Sequence, residues 1–176
     1  MKKLLFLFLS FGILFTACNN DALVHDAMND ADLKSGHVKM VPLKGVAQSH
    51  VDVYDNGIPV MGTLSGKMSH LGKLNMEESV WETTSLIFDD VNWIITWEMT
   101  GVICAANGDL LNYTLTGDFV IAENKLTGHV EVDGGTGRFE FAEGYFTITG
   151  YADDPAAITT MYMEAEGMLS SVGSSK

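Results

Sequence analysis

Cysteine is scarce in this chain, with two among 176 residues, Cys18 and Cys104. A pair of distant thiols excludes a disulfide framework, and no Cys or His spacing matches a zinc site. Basic residues are also few: 10 Lys and Arg stand against 23 Asp and Glu, a formal net charge of −13. That deficit argues against nucleic acid, whose binding rests on Lys and Arg at phosphates, and against polybasic docking on anionic lipid. The one long apolar run, Leu4 to Ala17, falls short of the ~20 residues that span a bilayer core. After His37 no 3.6-residue period is sustained, so helices are not expected to build the fold.

The chain opens MKKLLFLFLSFGILFTAC, two lysines ahead of an apolar run that ends in small residues. This is the form of a cleaved export signal, residues 1–17. Leu14 to Cys18 resembles the lipobox of bacterial lipoproteins, in which the cysteine is lipidated and becomes the mature N-terminus. The resemblance implies a membrane partner reached through lipid on Cys18 and a place in the bacterial cell envelope, as an outer-membrane lipoprotein facing the periplasm or the surface. The other reading is a soluble export signal with a chance cysteine. Residues 18–36 are polar and acidic and read as a tether, spanning about 25 Å if flexible. Residues 37–176 then form a single domain, long enough to bury a core without covalent staples.

Within that domain apolar and polar residues alternate. Leu111, Tyr113, Leu115, Phe119 and Ile121 oppose Asn112, Thr114, Thr116 and Asp118. The same pattern holds for Trp93, Ile95, Trp97, Met99 and Ile103, and for Met161, Met163, Ala165 and Leu169. Such strands have one buried and one wet face. Turn signals separate them, among them Asp55-Asn56-Gly57, Asn107-Gly108-Asp109 and Asp153-Asp154-Pro155. The count is roughly eight antiparallel strands, which suits a small barrel or a sandwich. Closure removes sheet edges, and glycines inside the strands (Gly62, Gly66, Gly101, Gly117, Gly128, Gly150) suit tight coiling, so an all-β barrel is expected.

The stretch VDGGTGRFEFAEGYFTITG, Val132 to Gly150, has the glycines of a phosphate loop. A phosphate loop must lead into a helix N-terminus, and this one leads into a strand and has no lysine. It is therefore read as a turn, with Arg138 paired to a carboxylate. GGTGRF at Gly134 to Phe139, with Ala142, Gly144 and the strand FTITG, resembles the allene oxide cyclase and dirigent barrel families. SGKMSHLGKL, Ser65 to Leu74, is similar to a segment of exported bacterial barrels of that kind. The resemblance implies a calycin-like, eight-stranded antiparallel barrel able to hold an apolar small molecule. No catalytic position of those families maps onto a residue of this chain.

Histidines at 50 and 129 lie on polar strand faces and read as solvated; no metal site or cofactor is expected. His70, between Gly66 and Gly72, is read as a strand residue able to face the interior, most simply as a core histidine with its hydrogen bond met. Cys104, among Ile103, Ala105 and Ala106, reads as buried packing. The tryptophans and methionines form either plain core or the wall of an adaptable pocket. The pocket reading names His70, Trp97, Met99 and Phe146 as ligand contacts. The expectation is an envelope lipoprotein binding a small apolar ligand. Its alternatives are an isomerase or cyclase-like enzyme using one polar group such as His70, and a structural or partner-binding protein.

Overall fold

The computed structural model describes residues 39–170. The export signal, Cys18 and the tether lie outside the described residues. Nine strands follow in order: β1 Met40–Asp55, β2 Ile58–Met68, β3 Gly72–Lys73, β4 Val80–Asp89, β5 Ile94–Cys104, β6 Leu110–Val120, β7 Lys125–Gly135, β8 Glu143–Ala152 and β9 Thr160–Ser170. Every pairing is antiparallel. The eight long strands meander round the sheet, and β1 pairs with both β2 and β9, from Met40↔Ser170 to His50↔Thr160, so the sheet closes on itself. The two-residue β3 pairs only with β2. This is the closed all-β barrel expected from the alternation.

Alternation fixes which side chains turn inward. On β6, Leu111, Tyr113, Leu115 and Phe119 are buried, while Asn112, Thr114, Thr116 and Asp118 are exposed. A barrel of eight strands has little room inside, and inward glycines relieve the crowding where large side chains meet. Gly62 of β2 and Gly101 of β5 flank Trp81 of β4, one on each neighbouring strand. Gly117 lies opposite Trp97, Gly128 opposite Ile148, and Gly167 opposite Phe146. Trp81 fills the space beside Gly62, Tyr113 that beside Gly101 and Ile148 that beside Gly128.

The barrel's two ends differ. At one, Leu71, Leu74, Phe139 and Ala142 are buried and close the interior. There the glycine-rich segment makes the β7–β8 connection: Gly134 and Gly137 take φ of 68° and 56°, and a 3-10 turn, Gly137–Phe139, buries Phe139. Arg138 Nε lies 3.4 Å from Asp109 Oδ2, a charge contact without hydrogen-bond geometry, while the Arg138 backbone N–H donates to the same oxygen at 3.3 Å. The segment is therefore a turn with a paired arginine, as expected.

At the other end the β4–β5 hairpin exposes Ile87, Phe88, Val91 and Trp93. Trp93 sits in the turn with φ of 57° and is exposed, so it does not belong to the inward row that runs through Ile95 and Trp97. The seam between β2 and β4 is short, with only Met61, Gly62 and Thr63 in register with Glu82, Trp81 and Val80. Beyond it stands Pro59, which has no N–H to give. Its carbonyl instead accepts the Thr83 hydroxyl at 3.1 Å.

The loop between β8 and β9 hangs on Asp153. Its carboxylate accepts the backbone N–H groups of Asp154 at 2.9 Å and of Thr159 and Thr160 at 3.1 Å, together with the Thr159 hydroxyl. The Thr159 hydroxyl, more than any other partner, holds the Asp153 carboxyl well below the usual carboxylate range, and the backbone donors add to it. A carboxylate depressed in the folded state contributes stability above its ordinary range and loses it as pH falls through the folded value. The loop is therefore expected to stay ordered while other carboxylates protonate, and to loosen last. Asp153→Ala should raise amide exchange at Thr159 and Thr160 by about tenfold at neutral pH, a local opening that leaves the barrel folded. Unchanged exchange at both amides would show that the carboxylate does not hold the loop.

Candidate functional site

Side chains from all eight long strands converge on one cavity inside the barrel, of about 60 Å³. Trp81, Trp97, Tyr113 and Phe146 form its aromatic wall. Met68, Met99, Met161 and Met163 supply its unbranched, adaptable part, and Val51 and Pro59 also line it. The surface it presents is almost wholly apolar, although Ser49, Tyr113 and the two tryptophans among its lining residues carry polar atoms. Among the described residues no charged side chain lines it. Its volume is less than half the ~150 Å³ of an engineered apolar cavity that takes benzene. An occupant of benzene's size therefore requires the methionines to turn.

The wall is built by cross-strand register. Trp97 is 1% exposed and stacks on Phe119 with ring centroids 6.1 Å apart and planes 11° from parallel. Its cross-strand partner on β6 is Gly117. Tyr113 crosses Gly101: a Cβ built there would sit 2.6 Å from the Tyr113 hydroxyl. Burial pushes the Tyr113 phenol far above its ordinary pKa, so it stays protonated as an O–H donor.

Of the residues named from sequence, Trp97, Met99 and Phe146 come together in this cavity, whereas His70 does not. β2 ends at Met68, and the chain reverses with His70 at φ 66°, exposed. Its Nε2 lies 3.1 Å from the Pro42 carbonyl, an imidazole N–H donating to a backbone acceptor. The expected inward strand position at 70 is thus corrected to an exposed turn. What the sequence reading missed is Trp81 and Tyr113; Tyr113 stood in a recognised alternating row, and Trp81 in a segment whose alternation is broken by a register shift between Thr83 and Ser85.

Other reactive groups stand apart. Cys104 is buried at the closed end, where its thiol donates to Glu78 Oε2 at 3.1 Å and its backbone N–H donates to Ser79 Oγ at 2.9 Å. Burial, then the Glu78 carboxylate, pushes the thiol pKa up, which suits packing and not nucleophilic attack. His129 is exposed, 3.8 Å from Glu131. Among the described residues no three His, Cys, Asp or Glu are grouped to hold a metal.

No family model matches the sequence, and no curated protein matches it. Solved structures similar to the chain include the following two. Both are pterocarpan synthase dirigent proteins. One aligns with a TM-score of 0.42 at 17% identity, covering 77% of this chain and 87% of its own. The other gives 0.41 at 15%, covering 75% and 95%. Likeness at that level concerns the path of the chain alone, and the barrel assignment rests on the strand pairings above.

Proposed function

We propose that this protein is an envelope lipoprotein whose barrel binds a small apolar molecule. The observation that carries the reading is the interior cavity, apolar, lined by no charged side chain and bordered by four methionines that can repack around an occupant. Lipid on Cys18 would hold the domain at the bacterial membrane, with residues 18–36 as the tether. An isomerase or cyclase working by shape would need the same cavity to take its substrate first. His70, on its exposed turn, is not placed to assist it.

Methylenecyclopentane is a suitable probe, since it has six heavy atoms and no hydrogen-bonding oxygen. Titrated onto the full chain, it is expected to give a saturable change in the indole resonances of Trp81 and Trp97. Native mass spectrometry of protein released from a bacterial envelope should give a chain that begins at a lipid-modified Cys18. A strictly linear, non-saturable response would remove the binding reading, and an unmodified mass would remove the lipid.

A further inference from the structure

We propose that the β4–β5 hairpin at the barrel mouth docks an extended, apolar and basic segment of another protein, which adds a strand to the free edge of β4. The inference does not draw on the cavity. On one side β4 pairs with β5 as far as Asp89↔Ile94, but on the other only Val80, Trp81 and Glu82 are in register with β2. Residues 85–89 are therefore paired on one side alone among the described residues. In an antiparallel ladder alternate residues turn their N–H and C=O groups away from the partner strand. This stretch thus offers backbone groups to a further strand, the template on which strand addition works.

The side chains suit a partner as well. Ile87, Phe88, Val91 and Trp93 are between 49% and 81% exposed on this one hairpin, and large apolar groups gathered in one place mark an interaction surface. Phe88 and Trp93 meet edge to face with ring centroids 6.2 Å apart, and the Asp89 carboxylate accepts the backbone N–H groups of Val91 and Asn92 at 2.9 and 3.0 Å. The tip is shaped in advance, which lowers the ordering cost of binding. Charge decides the occupant. The two hairpins that border the gap, residues 51–66 and 80–104, carry Asp52, Asp55, Glu82, Asp89, Asp90 and Glu98 and not one Lys or Arg. A second copy would bring the same acids against these. A membrane would have to take up Asp89 and Asp90 together with the apolar residues on either side of them. A segment with Lys or Arg between its apolar residues meets both the edge and the charge.

The probe is a short, end-blocked peptide of alternating valine and lysine, added to the ¹⁵N-labelled full chain. It is expected to bind saturably and to shift the backbone amides of residues 85–89 and the indole N–H of Trp93. The amides of β8, diametrically across the ring from β4, should stay in place. The same peptide N-methylated at its central residues keeps its side chains and loses its ladder donors there, and should bind about tenfold more weakly, the factor that one lost hydrogen bond gives. Glutamate in place of lysine should weaken binding by at least a similar factor. Equal affinity of the N-methylated peptide would reduce the contact to apolar adhesion, and equal affinity of the glutamate peptide would remove the basic partner; either overturns the inference. So does the absence of shifts with the lysine peptide at millimolar concentration. The same amide shifts produced by raising the concentration of the chain alone, or by phosphatidylcholine vesicles, would give the edge to a second copy or to lipid and overturn it too.

Discussion

Trp97→Ala is expected to cost about 3–5 kcal/mol of folding stability, the range for deleting a fully buried large aromatic. The size of the effect follows from what surrounds the ring. One face stacks on Phe119, which is itself 0% exposed, and the cross-strand neighbour on β6 is Gly117. A glycine has no side chain with which to collapse into the vacated space, and the strands are held by ladders on both sides. The hole therefore persists, and the cost lies toward the upper end of the range. Urea denaturation of the variant beside the parent measures it through the midpoint at constant slope. The variant should also accept larger apolar probes, such as naphthalene, than the parent does. A loss below about 1 kcal/mol would mean that the indole is not packed as described.

Gly62→Ala should be comparably damaging although it adds a single methyl. A Cβ at residue 62 would stand 2.5 Å from Trp81 Cζ2 and 2.6 Å from Cε2, and closer still to the His50 carbonyl oxygen. The carbonyl belongs to the β1–β2 ladder, which cannot yield without breaking register. The indole is itself 4% exposed and packed in the core. Overpacking of this kind costs about 1–3 kcal/mol, occasionally more, and here the upper figure is expected. Gly57 gives the contrast, since a Cβ there meets nothing within 4 Å and only its φ of +83° opposes a side chain. Gly57→Ala should cost about 1–2 kcal/mol. If the two variants denature together, the close approach of Gly62 to Trp81 is not what matters. Trp81→Phe placed with Gly62→Ala should recover part of the loss, and the double-mutant cycle reads their coupling.

The barrel was legible because its strands are simple. Leu111 to Phe119 and Met161 to Leu169 alternate without interruption, and their inward and outward faces follow from that period alone. Asn56-Gly57 and Asn107-Gly108 marked turns because Asn56, Gly57 and Gly108 take positive φ. Half-legible was the cavity. Trp97, Met99 and Phe146 are on its wall, but the register shift at Thr83/Ser85 hid the inward direction of Trp81. His70 misled for a related reason. The row from Gly62 to Met68 continues in sequence but not in space, because the chain reverses at a left-handed residue that no local alternation announces. Trp93 failed in the same way at a hairpin tip. Alternation identifies a strand's sides but not its last residue.

The β1–β9 closure sets an order in time. β1 can pair with β2 as soon as both exist, but its other edge waits for β9, which lies at the far end of the domain. Until residues 160–170 are available, the ring is an open sheet with two unpaired edges, one on β1 and one on β8. Contacts so distant in sequence place this domain among the slow folders. Its vulnerable interval is the one before its final strand arrives.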